Sequence, residues 1–237
     1  MSSDIFSFKQ FNVRHNRSSM KVGIDSILLG SWVNVEFANN ILDVGTGCGI
    51  LSLMCAQRNQ NAIIEGIDVH SESVEEANEN FFNSPWSNRL SAKVRSYNDV
   101  IEKKYDLIIS NPPFFNSGIE RIVNPRECAR HQSSLSPTSL LSKGKDILVE
   151  NGVIGLIFPF CQFKEVVEMA ELNRMHLIRA AKIKGRRELE FKRIMMEFQM
   201  GENLNFEPVW KEIVLEDLPG SPSEEFKRLC KNFYLKF

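Results

Sequence analysis

The sequence has few of the residues that staple small folds. Its cysteines, Cys48, Cys55, Cys128, Cys161 and Cys230, are odd in number and contain no CxxC pair. The histidines show no ligand spacing, so neither a disulfide framework nor a metal site is expected. No apolar run approaches the length of a membrane span; the longest, around Gly152 to Cys161, is broken by Pro159. Met1 to Ser19 mixes Lys9, Arg14 and Arg17 with Phe6, Phe8 and Phe11 and lacks the apolar segment of a secretory signal, which makes a cytoplasmic chain the expectation. An excess of one charge is also missing: 29 Lys+Arg face 30 Asp+Glu, for a formal net charge of −1. That balance excludes a grossly basic nucleic-acid coat protein but leaves room for a local basic face. Gly at 13 and Pro at 9 of 237 residues are too few for a fibrous or low-complexity chain. What is present, 43% hydrophobic and 25% charged residues, suits one well-cored domain with small additions.

From Asn40 onward, short apolar runs alternate with segments of helical period. The runs are Ile41 to Val44, Ile63 to Ile67, Leu90 to Val94, Tyr105 to Ile109 and Val153 to Phe158. This alternation is the pattern of a parallel sheet covered on both faces. Ser71 is expected to cap a helix with Glu72, Glu75 and Glu76 in its first turns and Val74, Ala77, Phe81 and Phe82 as its apolar stripe. Ser136-Pro137 opens another, carrying Leu140, Leu141, Gly144, Ile147 and Leu148 and closed by Asn151-Gly152. Phe163 to Leu172 reads as helix. His176 to Lys184 and Arg193 to Met200 follow as strands joined by a basic turn, so they should pair antiparallel at the sheet's end. Val209 to Leu215 adds a strand. A last helix, capped by Ser221-Pro222, presents Phe226, Leu229, Cys230, Phe233 and Tyr234 on one face.

Two motifs carry chemistry. Asp43-Val44-Gly45-Thr46-Gly47-Cys48-Gly49 lies where the first strand of the alternation meets a helix. Its glycines permit a tight turn and close backbone approach to a ligand, while the helix N-terminus favours an anionic group. Ile50 stands where the dinucleotide fingerprint GxGxxG requires glycine. An acid at the end of the next strand, Asp68, is placed to accept hydrogen bonds from ribose hydroxyls; the alternative is that it only caps the next helix. The two acids together point to S-adenosylmethionine. Asp99 is a candidate for the adenine amino group of that cofactor, or a loop residue in an Asx-turn.

The second motif is Asn111-Pro112-Pro113-Phe114-Phe115, after the fourth strand. An exocyclic amine on a purine, or a carboxamide nitrogen, is a poor nucleophile because its lone pair is delocalised. The Asn111 side-chain carbonyl and the Pro112 main-chain carbonyl can each accept one N–H, so that the lone pair faces the sulfonium methyl. The prolines stiffen the loop, and Phe114 offers a face on which a planar base can stack. Phe115 is as consistent with core packing as with function.

These residues resemble the class I SAM-dependent N-methyltransferases with an NPPY/F motif. More closely, the chain is similar to the bacterial tRNA1(Val) (adenine(37)-N6)-methyltransferase family. The likeness rests on Phe8 to Phe11, Met20 to Asp25, Ile27 to Trp32, Asp43 to Gly49, Ser84 to Trp86, Asp106 to Phe114 and Asn232 to Leu235. It implies an α/β fold: a Rossmann-like doubly wound sheet, mostly parallel, with an antiparallel strand pair at the C-terminal end. Residues 1–237 would form one domain, with 1–40 as an arm and lid over the cofactor and 201–237 as a strand-and-helix addition. The implied activity is methylation of N6 of the adenine beside the anticodon, with tRNA (its anticodon stem-loop) as partner. Cofactor contacts would fall on Lys21, Gly23, Asp43, Gly45, Gly47, Asp68, Asp99 and Asn111, within a loop completed by Gly49. Phe114 replaces the tyrosine of many relatives, which removes a hydroxyl and keeps the stacking face.

Three basic sets are candidates for tRNA phosphates: Lys9, Arg14, His15, Arg17 and Lys21; Arg121, Arg126, Arg130 and His131; and Lys182, Lys184, Arg186, Arg187, Lys192 and Arg193. Phe6, Phe8 and Phe11 could stack on anticodon-loop bases. The competing activities are methylation of a protein glutamine, as in release-factor methyltransferases, and of guanine N2 in ribosomal RNA. The first usually needs a helical domain ahead of the glycine loop, and only 42 residues precede Asp43. The second usually comes with a tandem domain. A binding module without catalysis is the non-enzyme alternative, and the intact Asp43, Gly45, Gly47, Asp68 and Asn111 speak against it.

Overall fold

In a computed structural model, residues 4–18, 21–101, 104–113, 135–201 and 207–236 are described. Phe114, Phe115, Arg121, Arg126, Arg130 and His131 lie outside them. The strands are β1 (Ile5–Ser7), β2 (Asn12–Arg14), β3 (Asn40–Val44), β4 (Ile63–Asp68), β5 (Leu90–Val94), β6 (Tyr105–Ser110), β7 (Leu148–Pro159), β8 (Met175–Lys184), β9 (Arg193–Met200), β10 (Val209–Val214), β11 (Glu216–Leu218) and β12 (Ser221–Pro222). The helices are α1 (Ile24–Trp32), α2 (Ile50–Arg58), α3 (Ser71–Phe82), α4 (Pro137–Ile147), α5 (Phe163–Leu172) and α6 (Glu224–Cys230).

An eight-stranded sheet in the order β10-β8-β9-β7-β6-β3-β4-β5 forms the centre. β3 to β7 pair in parallel, and β9 runs antiparallel between β7 and β8. Alternate side chains along β3 divide the interior: Ile41 joins Ile27, Leu53 and Phe81 on one face, and Leu42 joins Leu140 and Val166 on the other. Helices thus cover both faces, as the near-continuous burial of β3 and β6 requires. The carboxyl ends of β3, β4 and β6 meet at one rim, where ligands of open α/β sheets bind.

The structure corrects several expectations. α4 stops at Ile147, and Leu148 already pairs with Tyr105 as strand. Asn151, at φ 64, lies inside β7, where the register with β6 shifts. The β8–β9 pair is antiparallel as expected, but it is not the edge of the sheet, because β10 adds in parallel to β8. Ser221-Pro222 pairs with β11, and Ser223 caps α6, its Oγ accepting from Phe226 N. His70 rather than Ser71 occupies the N-cap of α3. On α3, Val74, Ala77 and Phe81 of the expected stripe are buried, but Phe82 is 81% exposed and Glu76, expected among the first-turn acids, is fully buried. Phe8 and Phe11 are buried, stacked on each other at 4.6 Å and packed against Phe233 and Trp86, so they are core residues and not a surface for RNA bases.

Candidate active site

The turn after β3 uses its glycines in different ways. Gly45, Gly47 and Gly49 have φ of +71, +54 and +83, a region that side chains with a Cβ enter at a cost. The amides of Gly45 and Thr46 both donate to Ile67 O, which folds the loop back onto β4. A Cβ added at Gly47 would meet nothing within 4 Å, whereas one at Gly49 would lie 2.4 Å from Phe81 Cε1. Gly47 therefore fronts open space, and Gly49 permits α2 to pack against α3.

Asp43 is fully buried beneath this loop. Its Oδ2 accepts from Thr46 Oγ1 at 2.7 Å, Ser52 Oγ at 2.7 Å and Ser52 N at 3.1 Å, while Oδ1 has no hydrogen-bond partner. Burial pushes its carboxyl up to about 6, against the pull of the Thr46 and Ser52 hydrogen bonds. A carboxyl whose folded pKa lies above its unfolded value stabilises the fold fully below the unfolded value, and that stabilisation is lost as pH rises through about 6. A shift of this size corresponds to about 3 kcal/mol. The non-titrating Asp43→Asn should therefore gain stability relative to the parent between pH 4 and pH 7. Urea unfolding across that range tests this, and parallel stability curves would exclude it.

Asp68, at the end of β4, is half-buried and does more than cap a helix. Its Oδ2 accepts from Gly47 N at 3.0 Å and its Oδ1 from His70 N at 3.0 Å, so it braces the glycine loop as well as the start of α3. Asp99 lies exposed at the same rim, in a short 3-10 turn, where its backbone carbonyl accepts from the Arg95 guanidinium.

At the end of β6, Ser110 Oγ donates to Val44 O at 2.8 Å, fastening the start of the Asn-Pro-Pro segment to the end of β3. Asn111 follows. Its Nδ2 donates to Ser26 Oγ at 2.9 Å, and its Oδ1 is buried without a hydrogen-bond partner. Ser26 belongs to the first turn of α1, whose N-cap is Gly23 and whose Asp25 is paired with Arg193 of β9 at 2.9 Å. Pro112 is buried and Pro113 exposed. Ser26 was missed in the sequence, where it reads as one polar residue on a helix start.

The arm before α1 is tied to the glycine loop through α3. Glu76 Oε1 accepts from the amides of Asn16 and Arg17, and its Oε2 from Ser18 N. Asn80, one turn later, bonds both backbone groups of Arg14 and donates to Cys48 O. Much of the N-terminal basic set is consumed in this arrangement. Lys9 Nζ donates to Lys231 O, buried His15 faces the amide of Val22, and Arg17 pairs with Glu75 and Glu79. Lys21 is exposed and continues toward Gly23.

A buried carboxylate with one unfilled oxygen, open space before Gly47 and the Asp68 carboxyl at the next strand end fit a cationic, ribose-bearing cofactor such as S-adenosylmethionine. Comparison with known proteins agrees. Residues 17–178 match the family model described as Methyltransferase small domain. A protein of Christiangramia forsetii named tRNA1(Val) (adenine(37)-N6)-methyltransferase is 36% identical over 242 residues, covering all of both chains. One of the same name from Parabacteroides distasonis is 37% identical over 243 residues, again across both chains. A crystal structure from Agrobacterium tumefaciens, titled a predicted O-methyltransferase, superposes with a TM-score of 0.69 at 17% identity, covering 88% of this chain and 96% of the other. That likeness shows the shared class I methyltransferase fold. By sequence across its whole length and by fold, the chain belongs to the tRNA1(Val) (adenine(37)-N6)-methyltransferase family of SAM-dependent methyltransferases.

Proposed function

We propose that this chain transfers the methyl group of S-adenosylmethionine to N6 of an adenine in tRNA, adenine 37 of tRNA1(Val) being the target in its relatives' names. The observation that carries the reading is the Asn111 carboxamide, held at Nδ2 by Ser26 with its Oδ1 buried and unpartnered at the rim beside the glycine loop. An acceptor poised in this way suits an N–H donor whose lone pair must be aimed.

The cofactor supplies an electrophilic methyl on a sulfonium. When bound, it would be held by Asp43, whose buried carboxylate offers the negative charge of an unpartnered Oδ1, by the space before Gly47, and by Asp68, which would accept from the ribose hydroxyls. Lys21, Gly23 and Asp99 border the site, with residues 1–40 acting as an arm and lid. Asn111 Oδ1 and Pro112 O each accept one hydrogen of the adenine amine, leaving its lone pair directed at the methyl. Pro113 stiffens the loop and Phe114 stacks on the base. The proton becomes acidic once nitrogen is alkylated and leaves to solvent. The anticodon stem-loop of the tRNA is bound in the cytoplasm, without a metal.

The test incubates radiolabelled S-adenosylmethionine with unmodified tRNA and, in parallel, a release-factor protein, then digests the products. Label in N6-methyladenosine of tRNA1(Val) is expected. Label in protein glutamine, or in N2-methylguanosine, would overturn the substrate assignment.

Removing the Ser26 hydroxyl leaves the Asn111 amide free to turn. Ser26→Ala should lower kcat by about three- to tenfold, the value of one hydrogen bond, with KM for the cofactor unchanged and Ser26→Thr restoring turnover. Steady-state kinetics check this, and an equal loss in Ser26→Thr would exclude the role.

A further inference from the structure

The proposed methyl transfer leaves unused a cluster of aromatic rings and lysines further along the same rim. Phe160 and Phe163 stack at 6.4 Å with planes 5° apart, Phe191 leans on Phe160 at 5.3 Å, and Trp210 stands edge-on to Phe163 at 5.5 Å. Lys182 Nζ lies 5.6 Å from the Phe191 ring and 5.1 Å from that of Trp210, and Lys184 Nζ lies 4.9 Å from Phe191. The three phenylalanines are half-buried, while Trp210 is 42% exposed. Rings that served only to fill a core would not keep a tryptophan in water beside the Lys182 ammonium and a phenylalanine under two lysines.

Charge concentrates here in a chain that is nearly neutral overall. Between Lys182 and Arg193 the sequence has six basic residues against two acidic ones, Glu188 and Glu190. Arg186 and Arg187 are engaged with Glu188 and Asp217 at 3.2 and 3.8 Å, and Arg193 with Asp25; of the remaining three, Lys192, Lys182 and Lys184, the last two stand over the rings, Lys184 Nζ also donating to Arg187 O at 3.0 Å.

Strand register fixes where the cluster lies. Ser110 sits opposite Leu156, Phe158 opposite Ile194 and Ile194 opposite Lys182. Lys182 is therefore two residues above the level of Ser110 and three strand spacings away, a lateral offset of about 14 Å. Asn111 and the lysine share one rim, and β7 runs on to Pro159 between them.

We infer that Phe191 and Trp210, with Lys182 and Lys184, form a docking platform for the unpaired nucleotides that flank the methylated base in the RNA loop. The inference rests on the proposed function. Rings interleaved with cations match the two surfaces of single-stranded RNA, base faces and phosphates, and this match favours RNA over an acidic peptide, which would use the charges and leave the rings idle. The platform also supplies the stacking surface that Phe8 and Phe11, buried in the core, do not offer.

The experiment measures methyl transfer to tRNA for the parent, Trp210→Ala, Phe191→Ala and the Lys182→Gln/Lys184→Gln pair, with thermal midpoints as the folding check. Loss of one stacked base should raise KM for tRNA roughly five- to 150-fold, with kcat at saturating tRNA and the cofactor Kd unchanged. The lysine pair should raise KM and also make it less steeply dependent on salt, by about 0.7 in logarithmic slope per lost contact. Trp210→Phe should recover most of the loss. Intrinsic fluorescence of the parent, titrated with a single-stranded anticodon-loop oligonucleotide, should be quenched, and the quench should disappear in Trp210→Phe. Adenine methylation with KM within twofold of the parent in every variant would overturn the platform. So would quenching by an acidic peptide and not by RNA, which would mark a protein-binding surface. A parent that methylates no tRNA, yet whose fluorescence the oligonucleotide quenches, would overturn the proposed function and leave the platform standing.

Discussion

Asn111→Ala should lower turnover by about 100- to 1000-fold, the range seen when one polar group aimed at a transition state is removed. Alanine at 111 removes the unpartnered Oδ1 and with it one of the two acceptors that hold the amine. Cofactor affinity should change little, because Asp43, Gly47 and Asp68 remain in place, so the loss belongs in kcat and not in the KM for the cofactor. Asn111→Asp keeps an acceptor and should retain more activity than the alanine variant. Single-turnover assays with saturating tRNA and cofactor separate these cases. Near-parental turnover in Asn111→Ala would remove the residue from the reaction.

Two glycines of one loop should give opposite phenotypes when each becomes alanine. Gly49→Ala forces a Cβ to 2.4 Å from Phe81 Cε1 and 2.8 Å from its Cζ, at a φ of +83. The left-handed backbone and the overpacking together should cost about 2–5 kcal/mol. The variant should unfold at markedly lower denaturant, whatever its cofactor affinity. Gly47→Ala meets no atom within 4 Å, so the chain should fold with only the smaller backbone penalty, about 1–2 kcal/mol. Its methyl would occupy the space assigned to the cofactor, and affinity should fall by at least tenfold. Urea denaturation and calorimetric titration with S-adenosylmethionine measure the two effects. A stable Gly49→Ala with weak cofactor binding would reverse the roles of the two glycines.

The alternation of strand and helix was legible because it is local: each apolar run from Ile41 to Ile109 is bounded by turn residues, and the observed strands lie within a residue or so of those runs. The glycine loop and the Asn-Pro-Pro segment were legible for the same reason. What escaped the sequence depends on contacts far apart in the chain. Leu148 continues the apolar stripe of α4, and only pairing with Tyr105 makes it strand. Glu76 looks like one more solvated acid on a helix, yet three amides from residues 16–18 bury it. The position of β10 beyond β8 follows from no periodicity. Basic residues were the least informative: Lys9 and Arg17 serve the fold, while Lys182 and Lys184 stand over aromatic rings. Ser26 becomes visible only when α1 is set against the end of β6.

The junction between the two ends of the chain bears on when during its synthesis the protein can become active. Lys9 N donates to Phe233 O at 2.9 Å, Lys9 Nζ reaches Lys231 O across 222 residues, and Phe8 and Phe6 pack on Phe233 and Tyr234. The segment carrying Lys9 also leads to the amides held by Glu76 and Asn80, and so to the glycine loop. On the ribosome, residues 6–11 emerge early, but their partners arrive on the order of ten to forty-five seconds later at ordinary elongation rates. Until then Phe6 and Phe8 lack the rings of Phe233 and Tyr234, and the arm is held by Trp86, Glu76 and Asn80 without them. A nascent chain that already carries Asp43 and Asn111 would still lack the closed arm, so methyl transfer by incomplete chains should be weak even when the cofactor loop has formed.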